Sequence, residues 1–117
     1  MIDLPKILVV DDEQGIRLYL RVVFEDEGYD VVEANDGAAA LEIVLDEQPD
    51  LVVTDLMMPF LDGNELIVCL RSDPNTAEIP ILSLTSTPEA SVGADAVCIK
   101  LPPVPEFLTT VLSLLAS

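Results

Sequence analysis

The chain has 117 residues, with 22 acidic against 5 basic side chains and no histidine, a formal charge of −17 near neutral pH. Half of it is hydrophobic and 23% is charged, which is a globular composition and not that of a disordered acidic tail; 1–117 is read as one domain. Five cations cannot neutralise a run of phosphates, so direct binding to nucleic acid or to an anionic membrane is not expected. Without imidazole, histidine triads, most zinc sites and a histidine phosphoacceptor are excluded, and carboxylates must do the chemistry. Cys69 and Cys98 lie in apolar runs without C-x-x-C spacing and are expected to be buried small hydrophobes. Met1 to Lys6 precedes only four consecutive apolar residues, too few for a signal-peptide core or a membrane span, so a cytoplasmic location is expected.

Ile7-Leu8-Val9-Val10 is a β-branched run ending in Asp11-Asp12-Glu13, the pattern of a strand buried on both faces. Residues 13–27 then place Ile16, Leu20, Val23 and Phe24 on one helical face, with Asp12 as a potential N-cap and Gly28 closing the C-terminus. Tyr29–Ala34 reads as a second strand and Asn35-Asp36-Gly37 as a turn. A helix follows over 38–48, with Leu41, Val44 and Leu45 inward, and Pro49 stops it. Residues 51–55 form a third strand that also ends in an acid. The next helix, from about Gly63 to Asp73, has Leu66, Cys69 and Leu70 as its inner face. Ile79–Thr85 is the fourth strand and Ala96–Ile99 the fifth. A last helix from Pro105 carries Leu108, Val111, Leu112 and Leu115 at helical spacing, and with Met1 in front suggests a complete domain. The ten residues 86–95 contain Pro88 and Gly93 and hold no helical stripe longer than about one turn. Alternating strands and helices imply an α/β, doubly wound, five-stranded parallel sheet with right-handed crossovers.

In such a sheet the ligand site lies beyond the carboxyl ends of the strands, where strand order reverses. Asp11 and Asp12 end the first strand and Asp55 ends the third, neighbours in the order 2-1-3-4-5. Clustered acids repel one another, and a hard divalent cation held by oxygen ligands, magnesium above all, is their natural neutraliser. The simpler alternative is that Asp12 caps the first helix while Asp11 and Asp55 are solvated strand ends. Thr85 and Lys100 bring a hydroxyl and a positive charge to the same rim. A carboxylate nucleophile, a magnesium ion, a hydroxyl and a lysine are the parts that aspartyl phosphorylation requires.

Lys6-Ile7-Leu8-Val9-Val10-Asp11-Asp12-Glu13 and Thr54-Asp55-Leu56-Met57-Met58-Pro59 resemble the signatures of the receiver domain of two-component response regulators. Asp62-Gly63, Leu84-Thr85-Ser86 and Gly93-Ala94-Asp95 match as well, so the resemblance covers the whole chain. It implies a flavodoxin-like fold and a phosphoprotein of a phosphorelay, not a turnover enzyme. Asp55 would accept a phosphoryl group from the phosphohistidine of a sensor histidine kinase or histidine phosphotransfer protein. Asp12, Asp55 and the backbone carbonyl of Met57 would ligate magnesium, with Asp11 acting directly or through water. Thr85 would bond the phosphoryl oxygen and Lys100 would pair with it.

Three departures qualify the resemblance. The segment between Thr85 and Lys100 is shorter than the family usual by about two helical turns, so helix four is expected to be shortened or absent. That would uncover apolar sheet around strands four and five for a downstream protein target or a second copy of the chain, a homodimer. The switch aromatic usual three residues before the lysine is Val97, which leaves any response to Thr85 and the loop 86–95. Leu101 stands between Lys100 and Pro102, where a cis bond could aim the lysine. The leading reading is a stand-alone receiver; a pseudo-receiver acting as a phosphorylation-independent interaction module is the alternative, and a magnesium-dependent phosphohydrolase a third class. Met57 and Thr87, which flank the phosphoryl position in the family, cannot readily position an attacking water, so a persistent phosphoryl group is expected.

Overall fold

The computed structural model describes residues 4–100 and 102–116. The expected bond between Leu101 and Pro102 lies outside the described residues. The chain runs β1 (Lys6–Val10), α1 (Gln14–Asp26), β2 (Asp30–Ala34), α2 (Gly37–Glu47), β3 (Leu51–Thr54), α3 (Gly63–Ser72), β4 (Ile81–Thr85), a 3-10 turn (Pro88–Ala90), β5 (Ala96–Ile99) and α4 (Val104–Leu115). The strands form one parallel sheet in the order β2-β1-β3-β4-β5, the doubly wound fold expected from the sequence.

Alternation along β1 divides the core. Ile7 and Val9 face the layer of α1 and α4, where they meet Leu20, Phe24, Phe107 and Val111. Leu8 and Val10 face α2 and α3, with Ala40, Val44, Leu66, Ile67 and Leu70. Both faces of the strand are buried, which is why it reads as an unbroken apolar run. Removing any one of the Val, Leu, Ile or Phe side chains among these from water contributes about 1.5–3 kcal/mol.

Helix ends and inner faces depart from expectation in identifiable ways. Glu13, not Asp12, is the N-cap of α1, without a capping side chain; the Glu13 N–H donates instead to Asp11 Oδ1 at 2.9 Å. Gly28 follows α1 at φ 86° and donates to the Glu25 carbonyl, as expected. α2 has Asp36 as N-cap and buries its small residues Gly37 and Ala40 with Val44, so Leu45, expected inside, is exposed and Leu41 half-buried. The stretch carries more apolar residues than one face can hold, and the small ones win because they let the helix approach Leu61 closely. α3 begins in a capping box of Asp62 and Glu65 and buries Leu66, Ile67 and Leu70. Cys69 is therefore exposed, not buried, and Cys98 is half-buried. In α4, Phe107 and Val111 point inward while Leu112 is exposed. β4 starts at Ile81 and not at Ile79, since the intervening Pro80 has no N–H to give the ladder.

Among the described residues no α-helix joins β4 to β5: the 3-10 turn Pro88–Ala90 takes its place. Its loop is tied down by Asn64, whose Nδ2 donates to the Ala90 carbonyl at 2.8 Å and whose Oδ1 accepts from the Val92 N–H at 3.0 Å. Ser91 Oγ donates to Ser83 Oγ. The loop covers the Ile67 side of the sheet, whereas Val97 and Ile99 on the edge strand β5 remain exposed.

Candidate functional site

The sheet ladder brings two carboxylates together. β1 and β3 are in register with Val10 opposite Thr54, and the Asp55 N–H continues the ladder to the Val10 carbonyl at 3.0 Å while the Asp11 N–H bonds Ala34 on the other side. Asp11 and Asp55 thus leave adjacent strand ends at one level, both buried; Asp12, one residue on, is exposed. Ligand oxygens of Asp11, Asp12 and Asp55 lie within 4.8 Å of one another. A cluster of hard anionic oxygens at that spacing fits magnesium.

Lys100 closes the cluster. Its N–H bonds the Thr85 carbonyl at 2.9 Å, so β4 and β5 hand the lysine to the rim. Its Nζ lies 3.0 Å from Asp55 Oδ2, 3.1 Å from Asp11 Oδ2 and 3.8 Å from Glu13. Burial pulls the ammonium pKa down, but the bonds to Asp55 and Asp11 outweigh it and the net shift is upward. Burial pushes the Asp11 carboxyl up, against the Glu13 N–H and Lys100, which favour its anion. The Asp55 carboxylate is oriented by its own loop, with Oδ1 accepting from the N–H of Leu56 at 2.8 Å and of Met57 at 3.4 Å. Its carbonyl accepts from the Thr54 hydroxyl and lies 2.2 Å from where a Cβ on Gly63 would be, so the start of α3 packs backbone on backbone against it.

Thr85 ends β4 fully buried, and its hydroxyl is engaged by Thr87, 3.2 Å between oxygens and 3.1 Å from the Thr87 N–H. Asp11, Asp12, Asp55 and Lys100 are thus brought together, and Thr85 stands one backbone bond from the lysine. Val97 stands apart: it pairs with Ser83 in the ladder and is 41% exposed. Met57 is exposed on the loop that follows Asp55. Sequence reasoning missed Arg17, whose Nη1 donates to the Asp11 carbonyl at 2.7 Å while its Nε bonds Glu33. An arginine on the first turn of a helix that follows an acidic strand end was the available signal. All five basic side chains, Lys6, Arg17, Arg21, Arg71 and Lys100, are paired with carboxylates.

The family described as response regulator receiver domain matches residues 7–100. The DNA-binding dual master transcriptional regulator RpaA of Synechocystis is 41% identical over 83 residues, 71% of this chain and 34% of that protein. The alkaline phosphatase synthesis transcriptional regulatory protein PhoP of Bacillus subtilis is 48% identical over 84 residues, 72% and 34% of the two chains. The chain therefore spans about a third of the length of these relatives. Among solved structures it is similar to the response regulator TrrA of Thermotoga maritima in complex with Mg(2+)-BeF, at TM-score 0.87 and 31% identity over 95% of this chain and 99% of that one. With the match running from Ile7 inside β1 to Lys100 over the acid cluster, the chain belongs to the response regulator receiver family.

Proposed function

We propose that all of 1–117 is one receiver domain that accepts a phosphoryl group on Asp55 from a phosphohistidine and signals by phosphorylation-dependent protein interaction in the cytoplasm. Receiver domains interact with sensor histidine kinases and bind magnesium at an acidic pocket. The observation that carries the reading is the convergence of Asp11, Asp12 and Asp55 within 4.8 Å, with Lys100 bridging two of them. An Asp55 carboxylate oxygen attacks phosphorus as the P–N bond breaks. The bonding pair returns to the imidazole nitrogen of the donor, which takes up a proton. The Leu56 and Met57 N–H groups hold the nucleophile in place before the reaction, a fixed polar environment that needs no reorganisation. Lys100 shifts its contact from the carboxylate to a phosphoryl oxygen, and the Thr85 hydroxyl exchanges Thr87 for another. Magnesium would be held by Asp12, Asp55 and the Met57 carbonyl, with Asp11 acting directly or through water, and would neutralise the crowded negative charge.

Such a switch works through Thr85 and the loop 86–95, since Val97 supplies no aromatic. The β5 face with exposed Val97 and Ile99 is the proposed contact for a downstream protein or a second copy. Met57, exposed and without a group that could position water, and Thr87, bonded to Thr85, leave the aspartyl phosphate persistent.

Intact mass after incubation with acetyl phosphate tests the reading. A single magnesium-dependent phosphoryl adduct, absent in Asp55→Asn, slow to decay in the wild type and faster in Met57→Asn, with altered hydrogen exchange over 86–95, is the expected result. No adduct would favour the phosphorylation-independent interaction module, and steady turnover of the ester a phosphohydrolase.

A further inference from the structure

The loop from Asp55 to α3 holds a phenylalanine that neither its backbone nor its packing explains. The Leu61 N–H donates to the Pro59 carbonyl at 2.9 Å, closing a three-residue turn around Phe60, whose φ is 70°. That hand of γ-turn is rare, and a bulky residue at positive φ is an outlier. Glycine would adopt the conformation freely. Nothing inside the molecule compensates: Phe60 is 91% exposed, more than any other large hydrophobic residue among those described.

The turn is nonetheless fixed on both sides. Met58 is buried in the core between β1, α2 and α3, and Leu61 packs against it from the other end. The Leu61 carbonyl and Cβ lie 2.6 and 2.9 Å from where a Cβ on Gly37 would stand, so the loop is pressed onto the start of α2. The Gly63 N–H closes it back onto the Leu56 carbonyl at 2.9 Å. The loop thus holds an aromatic ring out in solvent on a rigid, strained base, at the carboxyl end of the sheet. Strain of this kind persists where the surroundings over-determine it and gathers at functional sites. An exposed ring on a pre-organised loop has the character of an interface anchor.

The occupant follows from the place. Asp55 is 6% exposed, at the base of the same loop. A small phosphoryl donor reaches it without touching the loop tip, whereas a folded protein that brings a phosphohistidine to Asp55 must cover the rim around it. We propose that Phe60 is a docking residue for the protein phosphodonor, its ring entering an apolar pocket beside that protein's phosphohistidine. This rests on the reading of Asp55 as phosphoacceptor.

The experiment compares wild type, Phe60→Gly and Phe60→Tyr with two kinds of donor: acetyl phosphate, and the autophosphorylated sensor histidine kinases of the source organism, using the one that labels the wild type fastest. Phe60→Gly is expected to melt no lower than the wild type, to take phosphate from acetyl phosphate within twofold of the wild-type rate, and to take it from the kinase at least tenfold more slowly. Phe60→Tyr, which keeps the ring, should restore the kinase rate. Equal kinase rates for wild type and Phe60→Gly, or a wild type labelled by acetyl phosphate and by none of the kinases, would overturn the docking role while leaving Asp55 as phosphoacceptor. Failure of acetyl phosphate to label the wild type would overturn the underlying reading itself.

Discussion

Glu33 shows how single side chains anchor the edge of the site. Arg21 Nε reaches it at 2.6 Å and Arg17 Nε at 3.1 Å, the second of these being the guanidinium that also holds the Asp11 carbonyl. The bond from Arg21 holds the Glu33 carboxyl below its ordinary value of 4.5, against a smaller opposing effect of burial. A carboxyl depressed on folding contributes stability that is present above the unfolded pKa and lost as pH falls through the folded one. Glu33→Gln is therefore expected to cost about 1 kcal/mol at neutral pH, and nothing once the carboxylates are protonated. Urea unfolding at pH 7 and in acid checks this; an equal cost at both would point to lost packing instead. The sequence made the acids of the site plain, because two strands ending in aspartate have few other uses. It could not show Arg17, whose role depends on a carbonyl oxygen six residues back turning toward the helix.

At the scale of elements, the site depends on how closely α3 approaches β3. Gly63 is the contact, and a methyl group there would collide with the Asp55 carbonyl and the Leu56 Cα, both backbone and unable to yield. Gly63→Ala is expected to cost about 1–3 kcal/mol and to slow phosphorylation of Asp55, as its carbonyl and carboxylate are displaced together. Gly15, in α1, has nothing within 4 Å of where a methyl group would stand, and Gly15→Ala is expected to add about 0.5–1 kcal/mol. Melting curves with acetyl phosphate rates separate the two; a silent Gly63→Ala would disprove the close approach. The elements were legible in the sequence because their periods switch cleanly between strand and helix, and the short segment 86–95 announced the missing helix. The inner faces of α2, α3 and α4 were less so. Each has more apolar residues than one face accepts, and Ala40, Ile67 and Phe107 were preferred over Leu45, Cys69 and Leu112 by the shape of the neighbouring layer, which no single helix contains.

At the scale of the whole molecule, the charge of −17 opposes both compaction and self-association. Raising sodium chloride from about 20 to about 500 mM, which shortens the screening length several-fold, is expected to raise the melting temperature. Sedimentation velocity should likewise find more self-association through the Val97 and Ile99 face at the higher salt. Melting that falls with salt would mean that the paired charges outweigh the repulsion.

The complete pairing of the five cations reaches beyond stability. With every lysine and arginine paired and a net charge of −17, the long-range field of the molecule is that of an anion. An approaching protein is sorted by that field before it touches anything: basic faces are drawn in and acidic ones turned away, at a rate that salt controls. The sorting carries no information about shape, so recognition divides into two stages, a long-range one set by net charge and a short-range one left to the few apolar groups that stand out from the surface.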